Sequence, residues 1–91
     1  MRIIKETQTD GIKITCFQLE HNFLVKYEQG PQELTYKFKM GEQLENVNDL
    51  SKLIEDHLTE AAIPVLQQMH HSRLSVIDQY FKSDETFEEF I

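Results

Sequence analysis

One apolar stripe runs through residues 47–81 and constrains the fold more than any other feature of the sequence. Apolar residues recur in it at intervals of three and four, the spacing of a helix that is buried along one side. We therefore predict a long amphipathic helix, or two helices in series, which needs a surface to pack against. The stripe contains Leu50, Ile54, Leu58, Ala61, Val65, Met69, Val76 and Tyr80, and it is widened by Leu53, Ala62, Leu66, Ile77 and Phe81.

Residues 2–40 follow a period of two, which predicts four short β-strands. The pair Asp10-Gly11 tolerates positive φ at both positions and indicates a type I′ hairpin between the first two strands. We expect strands at about 2–9, 12–19, 23–28 and 33–40, with the later turns at 20–22 and 29–32. The fold class is therefore α+β. A four-stranded antiparallel meander in order 1-2-3-4 precedes a long or Pro-kinked C-terminal helical segment that packs on one face.

The 91 residues predict a single domain, 1–91, with three parts. These parts are a β-meander at 1–41, a helical segment at 42–82 and an acidic amphipathic tail at 83–91. The helix should begin at 47–49, where Asn46 or Asn48 can cap its first turn. Pro64 lacks a backbone donor, so we expect a kink there or a break between two helices.

The helix is too long for the sheet to cover. A straight helix from 48 to 81 would be about 50 Å long at 1.5 Å per residue, whereas a strand of eight residues spans about 26 Å. Either the chain folds back near Pro64 or near 70–72, or the distal part of the helix packs against another chain. We predict the second outcome, a homodimer, with a helical interface formed by Met69, Val76, Ile77, Tyr80 and Phe81.

Strand parity also sends apolar residues to the face of the sheet that is turned away from the helix. A bulge near Cys16-Phe17 would instead swap the faces of the second strand. A second subunit or the C-terminal residues Phe87, Phe90 and Ile91 are the candidate covers for such a patch. The patch residues are Ile4, Phe17, Leu19 and Leu24, of which the last three are further interface candidates.

Charge is distributed unevenly along the chain, whose net charge is −7. Residues 1–41 hold six Lys/Arg and five Asp/Glu (+1), and residues 42–91 hold three Lys/Arg and eleven Asp/Glu (−8). An acidic helical half repels phosphate backbones, so we expect no nucleic-acid partner. An alternative function is an acidic inhibitor or nucleic-acid mimic that binds a basic groove of another protein. Its carboxylates would be those of Glu42, Glu45, Asp49, Glu55, Asp56 and Glu60.

The sequence also bears on the compartment. No run approaches the ~20 apolar residues that cross a bilayer, and the start lacks the apolar segment of a signal peptide, so we expect no membrane partner. The single Cys16 cannot form an internal disulfide. These features predict a cytoplasmic protein.

No motif indicates catalysis, a cofactor or a metal site. His57 and His70 are 13 residues apart, and adjacent His70 and His71 point about 100° apart on a helix, so neither pair chelates a metal within one straight helix. Cys16 and the serines have no glycine-rich loop beside them. We predict a non-catalytic protein-interaction module that self-associates, with another protein as a further partner. The alternative from a third class is a small enzyme whose site forms between subunits.

Overall fold

The computed structural model describes residues 1–41 and 44–89, with side chains described as far as Lys82. Four antiparallel strands form one sheet in the order β1-β2-β3-β4, and a long helix packs on one face of it. The predicted fold class and strand order are confirmed. The elements are β1 (Arg2–Thr9), β2 (Ile12–Gln18), β3 (Asn22–Gln29), β4 (Gln32–Lys39), α1 (Val47–Leu53), a π-helical segment (Ile54–Leu58) and α2 (Thr59–Glu89).

Two of the three hairpins have two-residue loops that fix the register of the strands. Asp10 and Gly11 have φ values of 51° and 78°, the pair of positive angles that a type I′ turn requires and the sequence predicted. Gly30 has a φ of 56° and precedes Pro31, which fits a type II′ turn with glycine at its first central position. β3 and β4 consequently pair without a shift from Gln29 opposite Gln32 to Asn22 opposite Lys39.

A β-bulge lies in β1. The register against β2 shifts between Ile3, which is opposite Phe17, and Lys5, which is opposite Cys16. The extra residue, Ile4, packs against the core, so the prediction that parity places it on the outer face is wrong. The alternative bulge at Cys16-Phe17 is not observed, because β2 pairs regularly with β3 there.

The core lies between the two central strands and the helix. Strands β2 and β3 supply apolar side chains that are almost fully buried, whereas those of the edge strand β4 are only partly buried, because β4 has a neighbouring strand on one side only. A hydrogen bond of 3.0 Å joins the hydroxyl groups of Tyr27 and Thr59 across the layer. The buried apolar residues are Ile12, Ile14, Cys16, Phe23, Val25, Tyr27, Leu50, Ile54, Leu58, Ala62 and Leu66.

The π-helical segment keeps the buried helical residues on one face. From Leu50 to Leu66 they recur at strict intervals of four, and each such step in an α-helix of 3.6 residues per turn drifts by about 40°. Four steps would leave Leu66 about 160° away from Leu50. The backbone N–H of Thr59 instead bonds to the carbonyl of Ile54, five residues back, and this wider turn absorbs part of the drift. Leu50 and Leu66 are therefore both buried against the sheet.

The start of the helix and its path through Pro64 decide between alternatives that the sequence left open. Asn46 is the N-cap, and its side chain accepts a hydrogen bond of 3.0 Å from the backbone N–H of Asp49. Pro64 does not break the chain into two helices, since α2 continues through it. Pro64 and Glu60 are both exposed residues, so the hydrogen bond that proline cannot donate to the Glu60 carbonyl is missing on the solvent side of the helix.

Beyond the sheet the helix continues without folding back. The described molecule measures 61 × 27 × 20 Å with a radius of gyration of 18.1 Å, against about 12 Å for a compact domain of this length. The side chains from His71 to Lys82 are all exposed. The fold-back that competed with an extended helix is therefore not observed. Across residues 1–41 and 44–89, no helix is both long and apolar enough to span a membrane.

Candidate interaction surfaces

The first candidate is the distal surface, which lies where α2 leaves the sheet. Met69 stands at the junction and still packs against the core, whereas the other members are between 40% and 65% exposed. Four of them and Met69 are interface residues that the sequence predicted. The distal surface consists of Met69, Leu74, Val76, Ile77, Tyr80 and Phe81.

The distal surface continues the face that packs on the sheet. At about 100° per residue, Ile77 and Tyr80 lie within about 20° and 40° of the direction of Leu66, which is fully buried. The rings of Tyr80 and Phe81 are 5.7 Å apart in an edge-to-face arrangement. The same stripe that forms the core thus emerges from the sheet and stays exposed over about three helical turns.

Polar groups lie within and beside the distal surface. Arg73 is seven residues after Leu66, which places it on the same face of the helix. Asp78 and Lys82 form an (i, i+4) ion pair of 3.1 Å at the edge of the surface, and both are largely exposed, so this pair contributes little to stability.

Sequence reasoning missed Leu74, which is 46% exposed. It precedes Ile77 by three residues and Phe81 by seven, a spacing that places all three on one side of the helix. That spacing was available in the sequence, so the same periodicity could have found it.

The second candidate is a row of apolar residues across the outer face of the sheet. Ile3, Phe17 and Leu24 are cross-strand neighbours, and Ile3 entered the row because of the bulge. Lys26 covers part of the row, with its ammonium 5.9 Å from the centre of the Phe17 ring. Leu19, the residue that follows β2, is half-buried. The proposed covers Phe87, Phe90 and Ile91 lie outside the described side chains.

Two clefts flank the helix where it packs on the sheet. The cleft beside β1 has a volume of about 340 Å³ and contains Cys16, whose pKa is raised by burial and lowered to a smaller extent by Lys5. Lys5 reaches across it to Ser51 at 3.3 Å and to Glu55 at 3.8 Å. The cleft beside β4 has a volume of about 590 Å³, and Phe38, Leu44 and Leu53 are among its lining residues.

A third cleft of about 360 Å³ lies between the β3–β4 turn and the helix. Gln67, His70 and His71 line it from the helix, and the two imidazole rings are 6.0 Å apart. Gln32 lines it from the sheet, and its buried Oε1 atom has no hydrogen-bond partner in the described part of the chain. Among the described residues, no three His, Cys, Asp or Glu side chains are arranged to hold a metal ion.

The predicted acidic surface is only partly free. Asp49 accepts a hydrogen bond from the backbone of Glu45, and Glu55 pairs with Lys5. Asp56 and Glu60 are exposed, and Glu42 lies outside the described residues. The mimic hypothesis stays a prediction.

Comparison with protein-family models, with curated proteins and with solved structures gives no significant match.

Proposed function

We propose that this protein is a non-catalytic interaction module that forms a homodimer through the distal surface. The observation that carries this proposal is the exposure of five large apolar side chains on a helix that extends beyond its own sheet. An exposed apolar patch of several hundred Å² is often an interaction site. The patch is also the continuation of a core-forming face.

The area of the distal surface sets the expected strength of the dimer. An aromatic residue can bury about 150–250 Å² and an aliphatic one somewhat less, so five such residues that are 40–65% exposed offer on the order of 500 Å² per chain. Two chains together would bury about 1,000 Å², which is below the usual range of specific interfaces and within that of weak, transient ones. A weak, concentration-dependent dimer is therefore expected.

A cysteine nucleophile is disfavoured in this protein, whose one cysteine is Cys16. A cysteine nucleophile needs its thiolate, which positive neighbours and exposure favour. Burial acts in the opposite direction at Cys16 and outweighs Lys5, so its pKa is raised.

Light scattering coupled to size exclusion tests the dimer over a range of micromolar concentrations. Ile77→Asp places a charge in the distal surface, and Gln79→Asp places the same charge about 160° away on the same helix. We expect Ile77→Asp to lower the average mass at every concentration where Gln79→Asp matches the natural protein. The mass should persist in high salt, because apolar contacts are not screened. Equal masses for the two variants, or 10.8 kDa for the natural protein throughout, would refute the proposal.

A further inference from the structure

The two edges of the sheet differ in how they are protected. β1 is interrupted by its bulge at Ile4, which disrupts the row of backbone groups along that edge. β4 is regular over all eight residues and contains neither a bulge nor a proline. A long regular edge is a template for another strand.

Alternating residues of β4 present their backbone groups to the open edge. Met40 donates its N–H to the carbonyl of His21 at 2.8 Å, which fixes the phase of the β3–β4 ladder. Because bonding residues alternate in an antiparallel pair, Leu34, Tyr36 and Phe38 bond towards β3. The residues with N–H and C=O groups towards the open edge are Glu33, Thr35, Lys37 and Lys39.

We infer that β4 pairs antiparallel with β4 of a second copy of this chain, about a two-fold axis at Tyr36. The strand is self-complementary in this register. Glu33 faces Lys39, an opposite charge, and Leu34 faces Phe38, another apolar residue. Thr35 faces Lys37, and no two like charges are directly opposite.

The hydrogen-bonding phase agrees with this register. Each bonded pair in an antiparallel ladder exchanges two hydrogen bonds, so the two Thr35–Lys37 pairs and the two Glu33–Lys39 pairs supply about eight. A shift that centres the axis on Lys37 places two ammonium groups opposite each other. A shift that centres it on Thr35 reduces the number of bonds to about six. Shifts by a single residue would turn the apolar side chains to the wrong face.

The helix-facing side of β4 offers apolar contacts to the partner strand. Leu34, Tyr36 and Phe38 are half-buried, whereas the apolar side chains of β3 beside them are fully buried. The rings of Tyr36 and Phe38 are nearly parallel, with centres 6.2 Å apart. A second β4 would cover the open flank of this row.

Edge pairing is independent of the distal surface. The helix starts beside the end of β4 and passes the β3–β4 turn at His70, so it runs roughly along the strands. A two-fold axis at Tyr36 would therefore send the two distal helices in opposite directions. Chains that used both surfaces would form assemblies larger than a dimer, because one pair of chains cannot make both contacts with each other.

Charge variants test the pairing in a background of Ile77→Asp. This substitution removes the distal interface, so that association through it does not obscure the result. Lys39→Glu should raise the dissociation constant of the remaining dimer by about tenfold or more, because it creates two like-charge pairs. Lys37→Glu is the matched control, since its partner Thr35 is uncharged. The reverse sensitivity, with Lys37→Glu disruptive and Lys39→Glu neutral, would overturn the register.

Mixing provides a second measurement that misfolding cannot imitate. In the same Ile77→Asp background, Glu33→Lys and Lys39→Glu should each be monomeric alone. Their equimolar mixture should form a heterodimer, because both charge pairs between residues 33 and 39 are then opposite in sign. Sedimentation velocity reads both states. A background protein that is monomeric at every concentration, or a mixture that behaves as its two components, would overturn the inference.

Discussion

Residues 50–66 and 74–81 belong to one helix and carry one apolar stripe, but their surroundings are opposite. Leu50, Ile54, Leu58, Ala62 and Leu66 are at most 8% exposed, whereas the large apolar residues from Leu74 to Phe81 are at least 40% exposed. The difference is set by the length of the strands and not by the pattern of the helix. A periodic stripe shows that a face is apolar, and the length of the opposing layer decides whether the chain itself can cover that face.

A carboxylate placed in each half of the helix gives the strongest test of the difference between them. Leu66→Asp buries an unpaired charge, which costs several kcal/mol and is comparable with the roughly 5–10 kcal/mol that stabilise a small domain. We expect this variant to be unfolded. Ile77→Asp should change the free energy of unfolding of the monomer by less than about 0.5 kcal/mol. Thermal denaturation at low concentration measures both, and equal losses would show that the two halves are not distinct.

Pro64 lies near the boundary between the halves and gives an effect of intermediate size. Proline is about 3 kcal/mol less favourable than alanine inside a helix, but it also restricts the unfolded chain by up to about 1 kcal/mol. Pro64→Ala restores a donor for the carbonyl of Glu60, so we expect a gain of about 2 kcal/mol. Gln68→Ala, also exposed on α2, should be nearly neutral. A loss of stability in Pro64→Ala would mean that the backbone there departs from α-helical geometry.

The smallest expected effect concerns the thiol of Cys16, which is buried in the core that residues 50–66 of the helix cover. Burial raises the pKa of Cys16 above its ordinary value of 9.0, so the unfolded state loses this proton at a lower pH than the folded state does. Stability should be unaffected below pH 8 and should fall by less than about 1 kcal/mol at pH 9.5. Tyr27, whose pKa burial raises above 10.0, adds a further loss at higher pH.

Cys16→Ala separates the two contributions in chemical denaturation. It should flatten the decline between pH 8 and 9.5 while leaving the later decline due to Tyr27. Identical pH profiles for the two proteins would contradict burial as the cause.

Local sequence signals were sufficient for the strands, the turns and the start of the helix. Asp10-Gly11 and the period of two predicted the meander, and the asparagines before the stripe limited the cap to Asn46 or Asn48. Each of these predictions depends on a few adjacent residues. The bulge at Ile4 was not predictable, since parity counts residues and cannot tell which one the partner strand skips. The π-helical segment was missed for a related reason. Apolar residues spaced four apart fit an α-helix over any short stretch, and the rotation of their face around the helix becomes large only over the full length from Leu50 to Leu66.

The candidate surfaces show the same division. The sequence identified most of the distal surface, but its row of residues did not reveal whether the helix turned back at Pro64. Self-complementarity of β4 is visible in the order of residues 33–39, yet it has meaning only once β4 is known to be an edge and the phase of its hydrogen bonds is known.

The π-helical segment also has a consequence for how the length of this chain can vary. An inserted or deleted residue between 50 and 66 would rotate one part of the core by about 100° relative to the other, so this part of the helix tolerates no change in length. Beyond His71, where the helix leaves the sheet, no such register exists, and whole turns can be added or removed without disturbing the domain. The core therefore fixes the direction in which the apolar face of the distal helix points, whereas the length of the distal helix can change.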